Sequence, residues 1–121
     1  MSLIEFTDTD VKRGTILEPG WYPVHISEVV ERPSKGDGSL FWKMRTVVTS
    51  GESKGVPIDF GFSEKAPGFA IPFVKAITRQ DVGPGKVDLN SASGKDLEVY
   101  VTNGVYENRP TNNVTDYRPS N

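Results

Sequence analysis

Hydrophobic and polar residues alternate along several separate stretches of the chain. In residues 21–32, Val24 and Ile26 fall on one side, and Trp21 and His25 fall on the other. A period of two is typical of a β-strand with one buried side. The pattern therefore predicts a first strand here, and the Gly-, Asp- and Ser-containing run at 34–39 predicts the hairpin loop that follows it.

A second long strand is predicted over residues 40–50. One side is apolar and is expected to face the core: Leu40, Trp42, Met44 and Val48. The other side carries Phe41, Lys43 and Arg45, and its charges identify it as the outward side. A one-residue slip in this register would exchange Phe41 and Trp42 between the two sides.

The third predicted strand covers residues 56–62, with Val56, Ile58, Phe60 and Phe62 inward. Pro57 lacks a backbone N–H, so it favours an edge position or a bulge. The period then changes, because Phe69, Phe73 and Ile77 are spaced by four. This spacing predicts a helix over about 71–80, with Pro72 in its first turn. Phe69 and Phe73 are predicted to lie in the core, as is Tyr22 of the first strand.

The rest of the chain is predicted to contain two more strands. Residues 87–94 are interpreted as a polar loop, 96–102 as a strand, 103–112 as a second polar loop and 113–119 as a last short strand. The resulting order β–β–β–α–β–β is that of the OB-fold, a five-stranded, partly open barrel. The predicted organisation is an acidic N-terminal arm at 1–19, with one turn near Leu3–Phe6, a single OB-fold domain at 20–119, and a short C-terminal end at 120–121.

The composition excludes several classes of protein. The chain has 121 residues, no cysteine and one histidine. It therefore has no disulfide, no cysteine-ligated metal site and no thiol nucleophile. No apolar run approaches the ~20 residues that span a bilayer, and the N-terminus lacks the pattern of a signal peptide. We expect a soluble protein of the cytoplasm.

Candidate enzyme sites are weak. No serine can be assigned as a nucleophile for the single histidine, His25, so no catalytic residue is predicted. Asp8 and Asp10 resemble a metal-binding pair but have no third ligand nearby, so no metal and no cofactor are predicted. The Gly83–Lys86 run lacks the spacing and the Ser/Thr of a phosphate-binding loop.

A binding function is better supported. The net charge is −2, but residues 32–56 carry five basic and two acidic side chains. Aromatic and basic residues interleaved on one face suit single-stranded nucleic acid, because bases stack on rings and cations contact phosphates. The candidate residues are Phe41, Lys43, Arg45, Arg32, Lys35, Lys54, Trp21, Tyr100, Tyr106 and Arg109. Asp59 opposes this interpretation, since it would face the same groove; Lys43 and Arg45 also fit ordinary solvated strand residues.

A set of turn glycines and core positions resembles a known family. It comprises Pro19-Gly20-Trp21-Tyr22, Gly38 before the aromatic-rich strand, Gly51, Lys54-Gly55, Gly94-Lys95-Asp96-Leu97-Glu98-Val99 and the closing Asn112-Asn113-Val114 with Tyr117 and Pro119. This pattern resembles small phage-encoded OB-fold single-stranded DNA-binding proteins associated with replication and recombination. The resemblance covers about residues 18–119 and implies the fold more than the contacts with DNA.

The expected function is sequence-independent binding of single-stranded DNA, without enzymatic activity, in a phage-infected host cell. The expected partners are single-stranded DNA and phage or host replication and recombination proteins, with the protein as a monomer or a dimer. A protein–protein interaction module, such as a virion component, an adaptor or an inhibitor of a host factor, is the alternative, since an OB barrel does not determine its ligand. A metal-dependent nuclease would need a carboxylate cluster that the sequence does not provide.

Overall fold

The described part of the chain folds into five antiparallel strands and one short α-helix. The computed structural model describes residues 3–5, 15–33 and 36–120. The strands are β1 (Gly20–Pro33), β2 (Leu40–Val48), β3 (Pro57–Ser63), β4 (Asp96–Tyr106) and β5 (Arg109–Pro119), and the helix α1 is Ile71–Thr78. Two 3₁₀ turns, Pro67–Ala70 and Leu89–Ala92, flank the helix along the chain. The predicted order of elements is confirmed.

The strands form a single sheet in the order β3-β2-β1-β4-β5. β1 lies at its centre and pairs with β2 along most of its length and with β4 through its first residues. Ser27 is the extra residue of a bulge between the pairs Ile26–Thr46 and Glu28–Arg45. A bulge bends a strand and increases its twist, which allows β1 to serve two neighbours.

The sheet is open, which differs from the predicted barrel. β3 and β5 are its two edges and form no ladder with each other in the described part of the chain. Aromatic side chains lie between them instead. The ring centroid of Tyr117 on β5 is 5.4 Å from that of Phe60 and 5.8 Å from that of Phe62, both on β3. Phe73 of α1 packs against all three rings, so side-chain packing rather than backbone pairing connects the edges.

The core confirms the predicted faces of the strands. Val24, Ile26, Met44, Ile58 and Leu97 are each at most 2% exposed. Tyr22, Trp42 and Phe60 are partly buried and pack against this core. The prediction that Phe69 is buried is wrong, since its side chain is 76% exposed. Phe69 lies in the 3₁₀ turn before α1, so the fourfold spacing of an α-helix does not place it beside Phe73.

The helix is shorter than predicted, because Arg79 adopts a left-handed conformation (φ 59°) and ends it after Thr78. Residues 87–94, predicted as a polar loop, contain the second 3₁₀ turn, which buries Leu89 and Ala92 in the core. Among the described residues, no helix has the length and apolar character needed to cross a membrane.

β4 and β5 form a longer hairpin than the sequence pattern predicts. Residues 103–112, predicted as a loop, continue both strands to a two-residue turn at Glu107 and Asn108. Both turn residues have positive φ, 50° and 62°, as a type I′ turn requires. Val105 and Tyr106 are 75% and 69% exposed on opposite faces, so this end of the hairpin has no buried side to produce an alternating pattern.

The N-terminal region is partly integrated into the domain. Leu17, predicted to lie in the acidic arm, is only 3% exposed and belongs to the core. Residues 3–5 form no turn, and Leu3 and Ile4 are exposed; Phe6 lies outside the described residues. Leu17 is therefore part of the packed core although it precedes residue 20.

Candidate nucleic-acid interface

The described site residues share one face of the sheet, with Lys54 as the exception. Directly paired residues of antiparallel strands project to the same side, so the register assigns each side chain to a face. We call the side opposite the core the outer face. It carries Trp21, His25, Glu28 and Arg32 of β1, Phe41, Lys43 and Arg45 of β2, Asp59 and Gly61 of β3, Asp96, Glu98, Tyr100 and Tyr106 of β4, and Arg109, Asp116 and Arg118 of β5.

Phe41 lies on the outer face, 39% exposed, while Trp42 packs towards the core. Its ring lies over Gly61 of β3: a Cβ built on Gly61 would come within 2.7 Å of Phe41 Cε1. The glycine thus leaves the space in which the ring sits across the neighbouring strand. The arrangement holds an aromatic ring on the surface of the sheet, where it remains accessible to a ligand.

The two cations of β2 are already paired with carboxylates. Lys43 Nζ lies 3.5 Å from Asp59 Oδ2 on β3, and Arg45 Nη1 lies 3.8 Å from Glu28 Oε2 on β1. Arg45 Nε is buried and has no hydrogen-bond partner among the described residues. Asp59 therefore neutralises Lys43 instead of leaving an isolated negative charge, and neither cation presents a full charge to a phosphate.

Trp21 and Tyr100 form a second aromatic group on the outer face. They are paired residues of β1 and β4, and their ring centroids are 5.3 Å apart in an edge-to-face arrangement. The guanidinium of Arg118 on β5 lies over the Trp21 ring, with its carbon 4.1 Å from the ring centroid. Arg118 also donates two hydrogen bonds, of 2.9 and 2.6 Å, to Glu98 Oε1.

Arg118 and Glu98 were not among the candidates from the sequence. The alternation of the last predicted strand places Arg118 opposite Tyr117, on the outward side, and this is the signal that could have identified it. Its pairing with Glu98 depends on the register of β4 and β5, which includes a shift between Tyr100 and Val101.

His25 also lies on the outer face, near the centre of the sheet. Its Nδ1 is 2.7 Å from Oδ1 of Asp96, its paired residue on β4. Both side chains are exposed to solvent, at 42% and 60%. Along β1, the His25–Asp96 pair lies between Trp21 and Glu28, and Glu28 is the residue that pairs with Arg45.

The remaining described candidates on this face lie near its margins. Arg32 pairs directly with Phe41, and Tyr106 pairs with Arg109 at the tip of the β4–β5 hairpin. Lys54 lies in the turn between β2 and β3. No described carboxylate forms an ion pair with Arg32, Lys54 or Arg109. Lys35 lies outside the described residues.

The outer face has balanced charge. Its described residues include five cations (Arg32, Lys43, Arg45, Arg109 and Arg118) and five carboxylates (Glu28, Asp59, Asp96, Glu98 and Asp116). Chemically, the face offers ring surfaces for stacking and a few basic side chains, rather than a strong positive field.

An apolar groove lies on the other side of the molecule from this face, beside α1. It has a volume of about 590 Å³ and is lined chiefly by apolar residues, including Trp42, Phe62, Ile71, Val74 and Leu89. The exposed side chains of Ile71 and Val87, at 49% and 52%, form part of its lining. This groove is the second surface with the chemistry of a binding site.

Within the described residues, no group of three or more histidine and carboxylate side chains could hold a metal ion. Asp8 and Asp10, the pair considered in the sequence, lie outside the described residues. Neither the protein-family models nor the curated proteins that were compared with the chain match it.

Proposed function

We propose that this protein binds single-stranded DNA on its outer face, with little sequence preference and without enzymatic activity. The observation that carries the proposal is the placement of aromatic side chains: Phe41, Trp21, Tyr100 and Tyr106 all lie on this face. The five-stranded order with one helix before β4 supports an OB-like architecture whose edges remain open. Such a protein, of the phage-encoded family that the sequence resembles, would shield DNA during replication or recombination.

Base stacking contributes more to this proposed binding than phosphate contacts do. Stacking of one base on an aromatic side chain contributes ~1–3 kcal/mol and tolerates any base. Lys43 and Arg45 are partly neutralised by Asp59 and Glu28, so their attraction for phosphate is reduced. Arg32 and Arg109, which have no described ion-pair partner, lie beside Phe41 and Tyr106 and are placed to contact the phosphates next to a stacked base.

The direct experiment is fluorescence anisotropy of a labelled oligo-dT and of an equal mass of duplex DNA, titrated with the protein at about 50 mM salt. We expect tight binding of the single strand and weak binding of the duplex. Phe41→Ala should weaken binding by roughly 1–3 kcal/mol. Phe69→Ala is the matched control, because Phe69 is an exposed phenylalanine that lies off the outer face.

Three results would contradict the proposal. They are no binding to either DNA at micromolar protein, equal binding of duplex and single strand, and cleavage of the oligonucleotide in magnesium. Equal losses in the Phe41→Ala and Phe69→Ala variants would instead show that the binding site is not the outer face.

The apolar groove supports a second candidate function, a protein–protein interaction module. Its occupant would be a peptide segment with an apolar anchor, since the lining is chiefly aliphatic and aromatic. Trp42 lines the groove, so its fluorescence should change when a partner peptide binds. An Ile71→Glu variant that loses this response while it still binds oligo-dT would assign the two functions to two surfaces.

A further inference from the structure

A cluster of four side chains lies on the outer face at the end of β1 opposite to the Phe41 region. It consists of Trp21, Glu98, Tyr100 and Arg118, from β1, β4 and β5. Trp21 and Arg32, the partner of Phe41, are eleven residues apart on β1. At ~3.3 Å per residue the two regions are up to about 35 Å apart along the strand.

The guanidinium of Arg118 is held from two directions. Glu98 accepts hydrogen bonds from Nε and Nη2 of Arg118. The Trp21 ring lies below the guanidinium group, with its centroid 4.1 Å from the guanidinium carbon. Stacking of Arg on tryptophan is favourable because the cation is attracted to the negative face of the ring. The orientation of Arg118 is therefore determined before any ligand arrives.

Exposure distinguishes the two members of this ion pair. The Glu98 side chain is 11% exposed, whereas the Arg118 side chain is 48% exposed. An incoming ligand therefore meets the guanidinium rather than the Glu98 carboxylate, although Asp116, the exposed pair of Tyr100 on β5, also lies on this face. A guanidinium has five N–H donors, and Glu98 uses two of them, so several remain for a phosphate.

We propose that Trp21, Tyr100 and Arg118 form a second nucleotide subsite, in which Arg118 contacts a phosphate and the ring pair stacks with the neighbouring base. Glu98 is a positioning residue, because it acts only through Arg118. This proposal rests on the proposed function, and it extends the bound strand along β1 from the Phe41 region, past His25 and Asp96, to Trp21.

The subsite predicts a dependence on the length of the oligonucleotide. A strand of about four nucleotides can occupy only one of the two regions, whereas one of about 16 can reach both, within the range known for a single OB fold. Truncation of Arg118 should therefore reduce the advantage of the longer strand. We expect the short strand to occupy the Phe41 region, so Phe41→Ala should weaken the binding of both lengths by a similar factor.

The experiment compares Arg118→Gln, Arg118→Lys and Lys86→Gln as variants of the whole chain, with oligo-dT of both lengths over a series of salt concentrations. Lys86→Gln is the control, because it also removes one cation but from a loop that lies by the apolar groove. Arg118→Gln should weaken binding of the longer strand about tenfold or more and flatten its salt slope, by less than the ~0.7 of an unpaired cation, because Glu98 already neutralises part of the Arg118 charge. Arg118→Lys should retain the salt slope of the wild type, because the positive charge remains. It should retain only part of the affinity for the longer strand, because lysine lacks the planar guanidinium group with its several N–H donors.

Fluorescence gives an independent measurement. In a Trp42→Phe background Trp21 is the single tryptophan, and its emission should change with the longer strand. If this background does not fold, the difference between the wild type and Trp21→Phe reports the same signal. A salt slope of Arg118→Gln equal to that of the wild type, or an unchanged Trp21 signal at saturation, overturns the subsite. Absence of any binding by the wild type overturns the proposed function as well.

Discussion

At the scale of single residues, Gly61 leaves the space that the ring of Phe41 occupies. Its position on β3 has no side chain, and the Phe41 ring of β2 occupies the space above it. Aromatic rings that cover a neighbouring glycine are a known way of stabilising a sheet edge. Phe41 therefore has a structural role as well as its proposed contact with DNA, and the two roles require separate measurements.

Gly61→Ala should destabilise the protein by ~1–3 kcal/mol, because the new Cβ would lie 2.7 Å from both Phe41 Cε1 and the carbonyl oxygen of Trp42. Urea unfolding measures this change. Gly83→Ala is the control, since Gly83 has no atom within 4 Å of a built Cβ and no positive φ. Equal stability of the two variants would show that Phe41 does not rest on Gly61.

Tyr117 provides a second prediction at this scale. Burial among the aromatic residues between β3, α1 and β5, together with the smaller effect of the negative charge of Asp116, raises the pKa of Tyr117 from 10.0 to about 12. Between these values the unfolded chain releases the proton and the folded chain keeps it, so the free energy of unfolding decreases as the pH rises. The stabilisation is fully present below pH 10 and is lost as the pH approaches 12.

Urea midpoints measured at pH 9 and pH 11 test this pKa. The wild type should lose more stability over this interval than Tyr117→Phe, which cannot ionise at this position. The comparison removes the contribution of lysines and of the other tyrosines, because both proteins share them. Parallel loss in the two proteins would contradict the raised pKa.

At the scale of elements, the segment before β1 is attached to the β4–β5 hairpin by two asparagines. Asn112 accepts a hydrogen bond from Leu17 N and donates one to the carbonyl of Thr15, at 2.9 and 2.8 Å. Asn103 donates to the carbonyl of Leu17 at 2.8 Å. These bonds satisfy the backbone of an extended segment and place the Leu17 side chain in the core.

Leu17→Ala should destabilise the protein by ~2–5 kcal/mol, as truncation of a buried leucine does. Asn112→Ala should cost ~1–3 kcal/mol, because it removes two hydrogen bonds. Urea unfolding provides both values, and Ile16→Ala, at a neighbouring exposed position, is the control. Unchanged stability of Leu17→Ala would show that the domain begins at β1, as its sequence pattern predicts.

At the scale of the whole molecule, the balanced charge of the outer face predicts a shallow dependence of DNA binding on salt. Arg32 and Arg109 on this face, and Lys54 in the turn between β2 and β3, have no described ion-pair partner, and Arg118, which is paired with Glu98, is half exposed. At ~0.7 per phosphate contacted on a single strand, three or four contacts give a slope of log K against log[salt] of about −2 to −3. Anisotropy titrations between about 50 and 200 mM salt measure it.

A slope steeper than about −5 would show that many more cations contact phosphates than the outer face provides. A slope near zero would show that none of the four contacts a phosphate. Lys43→Gln should change the slope less than Arg32→Gln does, because Asp59 already neutralises Lys43.

Much of this architecture could be predicted from the sequence, and the errors share a cause. The strands with one buried side, such as β2 with Met44 inward and Lys43 outward, follow directly from a period of two. The errors lie in segments that are not strands with one buried side, where a period of two does not indicate which residues are buried. The end of the β4–β5 hairpin is exposed on both faces, Phe69 precedes the α-helix, and Leu89 and Ala92 are buried from a short 3₁₀ turn within a polar stretch.

The sequence by itself determined the order of the elements, the inward residues of the strands and the outward position of Phe41, because each depends on a local alternation between water and core. The tertiary structure alone decided the open sheet, the burial of Leu17, and the pairing of Lys43 with Asp59 and of Arg118 with Glu98. The two ion pairs depend on the register between neighbouring strands, which a bulge shifts between β4 and β5, whereas the open sheet and the burial of Leu17 depend on packing between segments that are distant along the chain. A local pattern of polarity carries no information about either.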